Sequence, residues 1–158
     1  MNKKAFTLLE LLIVVLIISI LVAIALPQYK IVVGKAKFST LKDNARIIKE
    51  AMTRFYLINN QFPDNLEELD INIGSLSSDK KTVYFNSADH NCSVGTNAIL
   101  CRRKISGISM EYGVSKNGNT RSCVASADIN DLSNKICKLE TGRDETTYPY
   151  STYNSYMY

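Results

Sequence analysis

The chain has little with which to do chemistry. Among 158 residues there is one histidine, His90, and its surroundings, SADHNCS, read as a loop. A catalytic or metal-binding histidine needs partners in reach, and none can be assembled around this one. No serine, histidine and acid cluster about a nucleophile turn, and no spaced run of acids suits calcium. Gly113 and Gly118 have the spacing of a phosphate loop, but Asn119 stands where the lysine belongs. The context is also a hairpin rather than a strand-to-helix step. A basic stripe with interleaved aromatics, the footprint of nucleic-acid binding, is missing too. These absences describe a non-enzyme with no cofactor and no metal, and no nucleic acid is expected as a direct partner.

Cysteine is absent from the first 91 residues; all four lie later, at Cys92, Cys101, Cys123 and Cys137. An even count in a small domain behind an export segment reads as two disulfides in an oxidising compartment. Three pairings are open. Cys92–Cys101 and Cys123–Cys137 are preferred because each closes a short local loop, worth about 2–4 kcal/mol apiece in the chain-entropy model. The spacings lack a C-x2-C knuckle, which disfavours zinc.

Charge is absent from residues 11–26, where Ser19 is the one polar residue. Just ahead of that run stands Glu10, an acid that would cost several kcal/mol unpaired at mid-bilayer. A cleaved signal peptide fits poorly, because no small-x-small site follows the apolar stretch. A plain anchor fits better. Residues 6–26 would form a helix of roughly 31 Å at 1.5 Å per residue, about the hydrocarbon thickness. Lys3 and Lys4 would then stay cytoplasmic. Glu10 remains unexplained.

KKAFTLLELL resembles the leader of type IV pilins and pseudopilins: a short basic leader, a small residue, then Phe-Thr-Leu, a hydrophobic residue and Glu. The resemblance implies that a prepilin peptidase cuts between Ala5 and Phe6 and methylates the new Phe6 amine. The family usually has Gly before the cut; here it is Ala5, the next smallest residue. Removal of the leader would lower the formal charge from +4 to +2 by taking Lys3 and Lys4. Glu10 lies one helical turn from the new ammonium. It would pair with the Phe6 amine of an adjacent subunit and set axial register. Pro27, which removes a helical hydrogen bond, stands where the family has a helix break in filaments. Gly34 adds a second soft point.

Leu41, Ala45, Ile48, Met52 and Phe55 continue a helical stripe past Pro27. One helix over residues 6–58 is therefore expected, apolar all round and then amphipathic, ending at Asn59-Asn60 before Pro63. Asp64 and Glu67 read as a capping box for a short helix. Strands are predicted at 81–86, 97–105, 108–115 and 120–126, with a hairpin turn on Asn117-Gly118. A last helix capped by Asp128 precedes Cys137. The tail TTYPYSTYNSYMY holds five of nine tyrosines and would be a frayed end, an edge strand or a contact surface.

The fold expected is α+β: a long N-terminal helix packed on a small antiparallel sheet of three or four strands, pilin-like. The segments are a leader (1–5), a transmembrane or fibre-core half-helix (6–28), an amphipathic half (29–58) and a disulfide-bonded head (59–158). The function implied is that of a structural subunit. It begins in the inner membrane with a cytoplasmic N-terminus and polymerises into an extracellular helical filament of itself. Its partners would be the prepilin peptidase and the assembly motor and platform proteins. The rival readings are a pseudopilin of a secretion or DNA-uptake apparatus, and a membrane-anchored binding domain.

Overall fold

The computed structural model describes residues 7–85, 87–105, 107–149 and 152–158. The chain divides into two compact units, residues 1–33 and 34–158. Helix α1 spans Leu8–Asn59 and supplies the described secondary structure of the first unit. There, Leu, Ile, Val and Ala follow one another without a charge between Glu10 and Lys30, and every residue from Thr7 to Lys30 is exposed. A helix apolar on all sides has no preferred face to bury and suits a surrounding of lipid or of other apolar helices. This one is long and apolar enough to cross a membrane. Pro27 lies inside α1. The helix does not break there in this subunit, since the proline removes one hydrogen bond and the turns on either side keep theirs.

In the second unit, residues 34–59 of α1 carry the predicted stripe. Phe38, Leu41, Ala45, Ile48 and Met52 are almost wholly buried in the core, with Phe55 at its edge. The helix ends on Asn60 at φ 56°, whose N–H reaches Tyr56 O at 2.8 Å. Asparagine tolerates this left-handed conformation, and it closes the last turn. Gly34 is a packing position rather than a soft point: a Cβ there would run into the Ile136 side chain.

The segment after Pro63 differs from its expected form. It is a single 3-10 turn, Leu66–Glu68, capped by Asn65 and not by Asp64; the Asn65 side chain accepts from the Glu67 N–H. Leu66 and Leu69 bury beneath it, and the Arg54 guanidinium grips Asp70 through two bonds of 3.0 and 2.7 Å.

Eight strands among the described residues form one antiparallel sheet: β1 (Ser75–Leu76), β2 (Thr82–Phe85), β3 (Ser87–Val94), β4 (Ala98–Ile105), β5 (Ile108–Ser115), β6 (Arg121–Ser126), β7 (Tyr148–Pro149) and β8 (Tyr153–Met157). Their order is β1-β2-β3-β4-β5-β6-β8-β7. The sequence patterns predict three or four strands. The addition that matters most to the core is β3, which places His90 on a strand rather than in a loop. Its inward positions carry His90, Cys92 and Val94 instead of an aliphatic alternation. Pairing with β2 and β4 on both sides outweighs that weak intrinsic preference. The turn between β5 and β6 needs a positive φ at Gly118 alone, 78°, with the Gly118 N–H on Ser115 O at 2.8 Å.

Helix α2 spans Leu132–Thr141. Its cap is Asp131, which accepts from the Ser133 N–H, and not Asp128; the helix also runs past Cys137 to a left-handed Gly142. The tyrosine-rich tail supplies both an edge strand and an inner one: β7 closes the sheet, and β8 lies between β6 and β7 with Tyr156 fully buried.

Candidate functional site

At the start of α1, the chain Thr7-Leu8-Leu9-Glu10 closes on itself. The Thr7 hydroxyl accepts from the Glu10 N–H at 3.2 Å. The Glu10 carboxylate accepts in return from the Thr7 N–H and the Thr7 hydroxyl, both at 2.9 Å. This is a reciprocal capping box, in which Thr7 is the cap and Glu10 the third helical residue. The Leu11 N–H then begins the ladder on Thr7 O at 3.3 Å. Helix N-termini leave backbone donors unsatisfied and favour negative charge, so an acid at this position suits the helix even before any partner arrives. Thr7 was the residue missed from sequence. The T-x-x-E spacing was the signal that could have found it. Ala5 and Phe6 lie outside the described residues, two positions and one position before Thr7.

In the second unit, Cys92 and Cys101 sit directly opposite on β3 and β4 and are bonded, with Cα atoms 4.0 Å apart. Cys123 and Cys137 tie β6 to α2. Inside that second loop lies a buried polar knot centred on Asn134. Its amide donates to Ser126 O at 2.8 Å and Asp128 O at 2.6 Å. Its carbonyl accepts from Asn154 at 3.1 Å and from the Tyr156 hydroxyl at 2.8 Å. Every polar atom of the Asn134 side chain is thereby satisfied, which a fully buried amide requires, and the tail strand is fastened to the disulfide loop.

His90 packs against Phe85, ring centroids 4.8 Å apart, and takes a bond from the Asn44 amide at Nε2, 3.0 Å. Its role is therefore packing between β3 and α1. Burial first, and then the Arg103 guanidinium, hold its pKa below the ordinary 6.5. A base whose folded pKa is depressed contributes fully above the unfolded value and loses that contribution as pH falls through the folded one. Stability is thus expected to decline as pH drops below about 6.5. His90→Gln should flatten that slope in guanidinium unfolding midpoints measured across the acid range.

A helix that is apolar on all sides, opens on an acid and leads into a helix-on-sheet head is the pilin-like architecture. Residues 1–26 match the family described as prokaryotic N-terminal methylation motif. The chain is similar to a type IV major pilin protein PilE1 of Neisseria gonorrhoeae, 33% identical over 69% of this chain and 48% of that protein. A second PilE1 of the same organism is 35% identical over 62% of this chain and 58% of its own length. A fimbrial protein of Neisseria meningitidis serogroup A is 36% identical over 55% and 49%. The chain spans about half the length of the curated relatives it matches. No solved structure matches it at comparable significance. Together the motif and the relatives support the type IV pilin and prepilin family.

Proposed function

We propose that the chain is a structural subunit of a type IV pilus filament, and not an enzyme. The observation that supports this reading is the acid-bearing apolar first stretch of α1, exposed throughout residues 7–30, on which a methylation motif over residues 1–26 falls. The precursor sits in the inner membrane with Lys3 and Lys4 on the cytoplasmic side. A prepilin peptidase cuts between Ala5 and Phe6 and methylates the Phe6 amine. Residues 6–28 then exchange lipid for the same segment of other copies. Residues 29–58 and the head 59–158 stay outside the apolar bundle, in a fibre on the cell surface.

Glu10 has two tasks in this scheme. Through the capping box it holds the first turn of α1 in shape, and its charge neutralises the methylated Phe6 ammonium of a neighbouring subunit. The second task gives register, because a buried charge has few tolerable positions. Pro27 supplies a place where α1 can open when copies pack. A head-to-tail, non-closing contact of this kind propagates as a filament. Its extraction from the membrane calls for a motor and a platform, since the stretch 113–120 has Asn119 where a phosphate loop needs lysine.

The test is the mass of the N-terminal peptide of the protein taken from fibres. The expected peptide begins at mono-methylated Phe6. A peptide that still carries Met1, or protein that never enters fibres, would overturn the proposal.

A further inference from the structure

Beside the β5–β6 turn, α1 and the sheet leave two adjoining hollows of about 330 and 400 Å³, and Lys49 lines both. Five cations border them: Lys42, Arg46 and Lys49 from α1, Lys116 from the turn and Arg121 from β6. One acid, Asp43, faces the same space. Lys42 is committed to Glu140 at 2.5 Å, and Arg46 lies between Asp43 and Glu50 at 4.0 and 3.9 Å. Lys49, Lys116 and Arg121 have no carboxylate within ion-pair distance among the described residues. Lys49 reaches the turn because Gly118 has no side chain; a Cβ there would collide with the Lys49 ammonium.

The second hollow has a flat apolar wall. Tyr56 and Phe62 stack at 4.8 Å and 28°, and remain 40% and 36% exposed. Lys116 lies over Phe62 at 5.4 Å. Thr53 and Asn117 complete the lining. The Asn117 carbonyl is occupied by the Ser115 hydroxyl and the Asn119 N–H, which leaves its amide to donate. The Thr53 hydroxyl donates to Lys49 O and keeps lone pairs to accept.

We infer that this groove binds an acidic oligosaccharide, one bearing sulfate or carboxylate groups. The three cations without a carboxylate partner, of which Arg121 also lies over the Tyr158 ring at 5.6 Å, take the acid groups, the ring wall takes the apolar face of a sugar, and Asn117 and Thr53 take hydroxyls. A single nucleic-acid strand would prefer successive separate stacking platforms. Here the two rings cover each other and offer one. No single segment carries this groove: α1 supplies Lys42, Arg46 and Lys49, and the fold brings Phe62, Lys116, Asn117 and Arg121 to them.

The test uses the full chain in a neutral, sugar-free polyoxyethylene detergent, with a fluorescein-labelled heparin hexasaccharide read by anisotropy. Binding is expected, with a log–log salt slope of about −2 to −3 if three cations each release roughly 0.7–0.9 counterions. The combined Lys49→Ala, Lys116→Ala and Arg121→Ala variant should lose about tenfold or more, as expected of three modest exposed contacts. Lys116→Ala alone, at an exposed turn, gives the same direction if the triple variant misfolds. Tyr56→Ala should weaken binding without changing the salt slope. Lys81→Ala with Lys104→Ala, outside the groove, should have no effect. Three results overturn the inference: no binding, an equal loss from the Lys81 and Lys104 variant, or tighter Tyr56-dependent binding of a labelled ten-nucleotide oligothymidine.

Discussion

Fibres are expected to disappear when Glu10 is replaced by glutamine, while the protein stays in the membrane with its first helical turn intact. Glutamine is as good as glutamate at the third position of a capping box. It can accept from the Thr7 N–H and hydroxyl as the carboxylate does at 2.9 Å. What it cannot do is neutralise an ammonium. A hydrogen bond to a charged group contributes about 1.5–3 kcal/mol, and about 1.4 kcal/mol is a factor of ten. The loss recurs at every subunit added, so fibre yield should fall by at least about tenfold. The partner experiment is Thr7→Val, which removes the cap and keeps the charge. A lost N-cap costs about 1 kcal/mol, so fibres should be reduced rather than abolished. Thr7→Ser should restore them. Fibre counts by electron microscopy, set against membrane-fraction immunoblots, separate the cases. Wild-type yield from Glu10→Gln would leave Glu10 with capping as its sole task.

The second large effect is expected at Asn134, far from the N-terminus. Replacement by leucine keeps the volume and removes four hydrogen bonds at once. The Tyr156 hydroxyl, in a fully buried residue, loses the partner that the structure gives it, and Asp128 O loses its side-chain donor. At about 1 kcal/mol net per bond, with an added penalty for buried groups left unsatisfied, the cost is about 3–5 kcal/mol. Tyr156→Phe removes one bond and should cost about 1 kcal/mol. Guanidinium unfolding of the full chain in detergent, followed by near-ultraviolet circular dichroism, measures both. Because the knot holds β8 to the loop closed by Cys123–Cys137, Asn134→Leu should also expose residues 152–158 to limited proteolysis. A cost below about 1 kcal/mol would show that the disulfide and sheet pairing hold the tail without the knot.

Much of the architecture was legible from local patterns. The apolar run and the later stripe at Leu41, Ala45, Ile48 and Met52 describe one helix, expected over residues 6–58 and found over Leu8–Asn59. β2, β4, β5 and β6 were visible as short alternating segments between turn residues. The capping box was legible as well, in Thr7-Leu-Leu-Glu10. There the apolar setting made Glu10 read as a charge in need of a cation rather than as an acceptor for its own helix. β3 and β8 were not legible. SADHNCSV and YNSYM carry almost no aliphatic alternation, and they are strands because neighbours on both sides supply hydrogen bonds. The caps Asn65 and Asp131 were misplaced by one and three residues. Asparagine and aspartate cluster in both segments, and which one meets the first free N–H depends on how the helix packs.

The sequence by itself determined the elements whose cause lies within a few turns of chain: an all-round apolar helix, its acid, and an amphipathic continuation that needs a sheet to cover it. Helical and strand periods are read within one segment, and no distant residue is required. The tertiary structure alone decided which distant residues meet. Sheet register set Cys92 opposite Cys101 and carried β8 beside β6, so that Tyr156 reached Asn134. The packing of α1 on the sheet brought Lys49 to the turn that holds Lys116. Such meetings follow from burying one continuous core, and that constraint acts on the whole chain at once.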